Sequence, residues 1–99
     1  MNLYKFYWDC GRMGDLEGLF VVDSKDLENL YGKEIYFGEV LGKHSEIYGT
    51  LESKDISLIS DDQEKIDWLV NLFGTSISGF NPVDYYEPDD EYESENEDD

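Results

Sequence analysis

Residues 3–22 read Leu3-Tyr4-Lys5-Phe6-Tyr7-Trp8-Asp9-Cys10-Gly11-Arg12-Met13-Gly14-Asp15-Leu16-Glu17-Gly18-Leu19-Phe20-Val21-Val22. Two apolar runs flank a polar segment, Asp9–Asp15, whose two glycines suit a hairpin loop between antiparallel strands. Leu3–Trp8 is apolar on both alternating faces, Tyr4/Phe6/Trp8 and Leu3/Tyr7, broken only by Lys5. A short strand of that kind belongs in the middle of a sheet. The return strand, Leu16–Val22, sets Leu16, Gly18, Phe20 and Val22 on one face. A glycine inside a strand marks a bulge or a close backbone approach.

Beyond this hairpin, Asp23 has the character of an N-cap, with Val22 and Leu27 placed as a hydrophobic staple. The spacing predicts a short helix over Ser24–Tyr31, stopped at Gly32, with Leu27, Leu30 and Tyr31 as its apolar face. Strands follow at Glu34–Leu41 and Glu46–Leu51, joined by Gly42-Lys43-His44-Ser45, and a fifth at Ile56–Ile59. Ser60 and Gln63 form a capping-box pattern ahead of a helix over Asp61–Phe73, with Ile66, Leu69, Val70 and Phe73 at i, i+3, i+4 and i+7. Gly74 ends it, and Thr75–Phe80 reads as a loop or a short edge strand. The order ββαβββα with hairpin-length links predicts an α+β domain: an antiparallel sheet of about five strands with one or two helices on one face. Trp8, Phe20, Phe37, Ile47, Leu58, Ile66, Leu69 and Phe73 are the expected core.

The chain divides by charge. Residues 81–99 carry ten carboxylates and no Lys, Arg or His; residues 1–80 hold fifteen Asp or Glu against seven Lys or Arg, and the whole chain has a net charge of −18. A like-charged run cannot bury enough apolar area to offset its ordering entropy, so the expected organisation is a globular domain over 1–80 and an acidic tail over 81–99, disordered or ordered only near Pro82 to Tyr86 where apolar groups could dock on the body. Twelve of the fifteen aromatic residues precede residue 81, which equips a domain of this size with large core side chains. Cys10 is the single cysteine, so no internal disulfide and no cysteine-rich metal site is expected, and no cofactor is implied. The first residues lack the pattern of a secretion signal, and no apolar run approaches the ~18 residues of a membrane span, so a cytoplasmic location is expected.

The acidity repels nucleic acid and anionic membranes and attracts basic protein surfaces. Carboxylates spaced on a surface imitate phosphates, which duplex DNA presents at about one per 1.7 Å of axis. The expected partner-binding groups are Asp61, Asp62, Glu64 and Asp67 on the second helix. In the tail they are Tyr85, Tyr86, Glu87, Asp89, Asp90, Glu91 and Tyr92, the tyrosines acting as apolar anchors among the acids. The plainer role of such charge is solubility. Cys10 and His44 invite a nucleophile–base reading, but no third orienting group is evident, and a loop thiol with an exposed histidine accounts for both. Arg12, the single arginine, is expected to pair with Asp9 or Asp15. Asp89-Asp90-Glu91 lacks the spacing and the glycine of an EF-hand, so no metal site is assigned.

The stretch Tyr36-Phe37-Gly38-Glu39-Val40-Leu41-Gly42-Lys43-His44-Ser45-Glu46-Ile47-Tyr48-Gly49-Thr50-Leu51 resembles one found in small uncharacterised phage proteins. The acidic balance is similar to that of phage anti-restriction and other DNA-mimic inhibitors. These resemblances imply a phage-encoded inhibitor acting in the host cytoplasm and transfer no residue role. The sequence thus points to a non-enzymatic binding module that sequesters or inhibits a basic host protein, such as a DNA-binding enzyme, by charge mimicry. The alternatives are a small enzyme or ligand-binding domain built on the Asp9–Asp15 loop and His44, and a virion or assembly component.

Overall fold

The structure, a computed structural model, describes residues 1–43 and 45–86. In chain order it comprises β1 (Asn2–Asp9), β2 (Asp15–Val22), α1 (Ser24–Leu30), β3 (Glu34–Gly38), β4 (Ile47–Thr50), β5 (Ile56–Ser60), α2 (Gln63–Phe73), β6 (Ser76–Gly79) and α3 (Pro82–Tyr85). Strands β1 and β2 pair antiparallel without interruption from Asn2↔Val22 to Asp9↔Asp15. Their loop holds a 3-10 turn, Gly11–Met13, whose glycine at position 11 takes a φ of 67°, a value that favours glycine. This hairpin is the centre of a four-stranded antiparallel sheet of order β5-β1-β2-β6. The α+β class and the antiparallel sheet are therefore as the sequence predicts.

The expected single sheet divides. Among the described residues, strands β3 and β4 pair only with each other, from Glu34↔Thr50 to Gly38↔Ile47, and form a separate two-stranded sheet. Both are shorter than anticipated, because Gly38 takes a φ of 81° and turns the chain away before Leu41. The helices also divide between the faces of the four-stranded sheet instead of sharing one. Leu3 and Val21 pack against Ile66, Leu69 and Val70 of α2, with Ile77 of β6. On the other face Tyr4, Phe6, Leu16, Phe20 and Val22 meet Leu27 and Leu30 of α1, Ile35 and Phe37 of β3, and Ile47 and Leu51. That division follows from β1 being apolar on both faces: each face needs its own cover.

Phe37 is the hub of the larger core. Its ring lies 5.6 Å from Phe6, 5.4 Å from Trp8, 5.9 Å from Phe80 and 4.6 Å from Tyr85, centroid to centroid. Aromatic pairs at such separations contribute about 0.5–1.5 kcal/mol each beyond area burial. Of the expected core, Phe20, Phe37, Ile47 and Ile66 are buried, and Trp8 and Leu69 are half-buried against it. Leu58 and Phe73 are not core: they are 56% and 58% exposed. Leu58 pairs opposite Tyr4 on an edge strand that α1 leaves uncovered, and Phe73 lies one turn past Leu69 and Val70, the last α2 residues packed on the sheet.

Local signals explain the helix ends. Asp23 caps α1 by accepting from the Lys25 backbone N–H at 2.9 Å. For α2 the cap is Asp62 and not Ser60: its carboxylate accepts from the Glu64 and Lys65 N–H groups at 3.2 and 3.4 Å. Ser60 instead accepts from the Asp62 N–H at 3.1 Å, one step earlier, so α2 starts at Gln63 rather than Asp61. Gly74 closes α2 with a φ of 80° and an N–H donated to the Val70 carbonyl.

The glycine in β2 has the role expected of it. A Cβ on Gly18 would collide with the Phe80 carbonyl, and one on Gly79 with the Glu17 carbonyl. Their absence lets β6 lie against β2, where the Phe80 N–H donates to Glu17 O at 2.9 Å. Packing continues past residue 80 into residues 82–86, the stretch of the tail whose apolar groups could dock on the body. Pro82 is fully buried, and the buried Asn81 caps α3 by accepting from the Val83 N–H at 3.0 Å. The Asn81 amide donates to Ser76 Oγ at 2.9 Å, and that hydroxyl donates to Asp84 at 2.7 Å. Residues 87–99, to which most of the expected tail belongs, lie outside the described residues.

Candidate functional site

The carboxylates expected to bind a partner, Asp61, Asp62, Glu64 and Asp67, are all exposed at the start of α2 and along it. They gain from the helix dipole, which favours anions at the first turn. Among the described residues the single cation paired with them is Lys65, 3.9 Å from Asp62, with 81% of its side-chain surface exposed. Such a pair contributes about 0–1 kcal/mol and leaves the field nearly unneutralised. The start of α2 is fixed to β1: Gln63 Nε2 donates to the carbonyls of Met1 and Asp61 at 2.8 and 2.7 Å.

Two of the expected apolar anchors, Tyr85 and Tyr86, are half-buried against the main core, and the Tyr85 ring lies tilted against Phe37. Their rings are thus committed to folding. Glu87, Asp89, Asp90, Glu91 and Tyr92 fall outside the described residues, as does His44. Among the described residues, the exposed aromatic beside the α2 acids is Trp68, 63% exposed, with Leu72 and Phe73 exposed beside it. Glu64, Trp68 and Leu72 stand at i, i+4 and i+8, so they follow one another along one side of α2. Helical phase held this signal: Trp68 lies off the Ile66/Leu69/Val70/Phe73 stripe, where a polar residue is the ordinary occupant. A shallow depression of about 470 Å3 between Met1 and α2, lined by Gln63, Asp67 and Asn71, adjoins this side.

The groups of the first loop are arranged for structure. The Asp9 carboxylate accepts from the Gly11 N–H at 2.9 Å, and the Cys10 N–H donates to Gly14 O at 2.8 Å. Arg12 is exposed and, among the described residues, makes no ion pair with Asp9 or Asp15, contrary to expectation. Burial pushes the Cys10 thiol above the usual thiol range, and the negative charges of Asp15 and Asp9 add to the effect. A nucleophilic cysteine needs the opposite shift. The Tyr7 hydroxyl is also raised, first by hydrogen bonding to the Asp15 carboxylate. No three His, Cys, Asp or Glu side chains among the described residues converge as a metal ligand set, and no described helix is long and apolar enough to cross a membrane.

Comparison with protein-family models, with curated proteins and with solved structures finds no match to this chain.

Proposed function

We propose that this protein binds a basic, nucleic-acid-binding protein through the exposed side of α2, its carboxylates taking the place of nucleic-acid phosphates. The observation that carries the reading is Trp68 exposed on α2 beside Glu64 and Asp67, with Asp61 and Asp62 exposed just ahead of the helix. Charge steers encounter and raises on-rates, whereas a desolvated aromatic slows dissociation, and binding hot spots are enriched in tryptophan. A solubilising surface has use for the acids but none for the indole. Sequestration or inhibition follows if the occupied basic surface is the one that grips DNA. An origin in phage and action in the host cytoplasm belong to the same proposal and rest on the resemblances drawn from the sequence.

The test is capture of binding proteins from a bacterial lysate, followed by displacement with duplex DNA. The wild-type chain should retain a basic DNA-binding protein that either DNA or high salt releases, since the screening length falls from about 10 Å at 0.1 M to about 3 Å at 1 M. Trp68→Ala and the triple variant Asp61→Asn/Glu64→Gln/Asp67→Asn should each reduce capture at least tenfold. Asp62 is kept because it caps the helix. Retention of the same protein by both variants, or a captured protein indifferent to DNA, would refute the reading.

A further inference from the structure

A second surface, sharing no residue with α2, has the form of a peptide groove. A cleft of about 590 Å3 opens between the end of β1 and strand β4. Its lining includes the consecutive residues Tyr7 to Cys10 on one side and Glu46 to Thr50 on the other. Consecutive residues of a strand line a cleft only when the strand turns its edge, rather than one face, toward it. The pairing explains why both edges are open. Among the described residues, strand β5 accompanies β1 only as far as Phe6↔Ile56, and β4 pairs with β3 alone. Two hydrogen-bonding edges therefore border one cavity, from two different sheets.

Between them lies the indole of Trp8. Phe6 and Phe37 hold it edge-on at 5.2 and 5.4 Å, and its ring comes within 3.4 Å of where a Cβ on Gly49 would stand. Gly49 thus admits the indole up to the β4 backbone. Tyr7 and Tyr48, 42% and 59% exposed, add aromatic surface. The charged lining is Asp9, Glu46, Glu52 and Asp55 against Lys54, which sits 3.8 Å from Glu52.

We propose that this cleft binds an extended, basic segment of a partner protein, whose backbone adds to a free strand edge while a Lys or Arg side chain lies over the Trp8 ring. Strand addition supplies affinity through main-chain hydrogen bonds, with specificity from alternate side chains. A cation over an indole face is attracted by the ring quadrupole, more so when partly desolvated. The surplus of carboxylates selects a basic occupant. It excludes the chain's own residues 87–99, which hold nine Asp or Glu and no cation.

The proposal does not depend on the α2 interface, and one experiment separates the two. The full 15N-labelled chain is titrated with an acetylated five-residue peptide alternating Lys and Val, and with the same peptide N-methylated on alternate amides. The methylated form keeps the charge and loses the strand edge. The unmodified peptide should shift the amides of Tyr7–Cys10 and Ile47–Thr50 and the Trp8 indole N–H, and bind at least tenfold tighter than the methylated one. Glu46→Gln/Glu52→Gln should weaken it about three- to tenfold, the range for losing two exposed ion pairs. Equal binding of the two peptides would reduce the effect to bulk attraction toward an acidic protein and overturn the proposal. Shifts confined to α2 would overturn it as well while leaving the α2 reading intact.

Discussion

At the scale of single residues, Cys10 illustrates how environment decides chemistry. Its thiol is raised by burial and by Asp15 and Asp9, so the thiolate forms only at a pH above that of an unfolded cysteine, whose pKa is about 8.5. Alkylation by iodoacetamide between pH 8 and 9 should therefore run slower in the native chain than in denaturant, and the two rates should converge as pH rises past the folded value. Faster native alkylation at pH 7 would mean that an unrecognised cation activates the thiol. Composition alone could not place Cys10 in this setting, because the depth of a loop residue depends on what packs over it. Phe37 and Phe73 make the same point. Both fit an apolar period, yet Phe37 became the hub of the core and Phe73 stayed in solvent. Periodicity reports which face a residue occupies, not whether another element reaches that face.

At the scale of elements, the central hairpin was legible because its loop glycines, aromatic runs and alternation agreed, and the Asp23 cap of α1 held. One feature was not legible: the separation of β3 and β4 into their own sheet, which depends on the positive φ at Gly38. The docking of residues 82–86 was legible in its apolar groups, but not the hydrogen bonds that fasten it, from the buried Asn81 to Ser76 and from Ser76 to Asp84. The α2 carboxylates were legible as charges, whereas the exposure of Trp68 beside them follows only from the helical phase that sets it outside the core stripe. The contact between β2 and β6 carries its own prediction. Gly18→Ala should destabilise the chain by about 1–3 kcal/mol or more, since the added methyl meets backbone and not a side chain that can rotate away. Ser78→Ala, exposed on the edge strand β6, should stay within about 0.5 kcal/mol. Urea denaturation of the two variants would compare them, and equal midpoints would show that β6 can move aside freely.

At the scale of the whole molecule, the sheet order β5-β1-β2-β6 puts neighbours in the chain at the centre and distant segments at the margins. The pairing Asp9↔Asp15 closes a short loop, whereas Gly18↔Gly79 joins residues about sixty positions apart. Closing the longer loop costs more entropy before any contact rewards it. The order of assembly is thereby written into the topology: the hairpin is available to a folding nucleus early, and β6 with α3 seals Phe37 late. Asn81→Ala, which removes the α3 cap, should accordingly speed unfolding and leave the refolding rate nearly unchanged, as chevron plots would record. A matching slowdown of refolding would place the seal inside the nucleus. The native lifetime of the protein is then governed by its last eleven described residues rather than by the hairpin that defines its architecture, and a protease sampling brief openings would find its first foothold there.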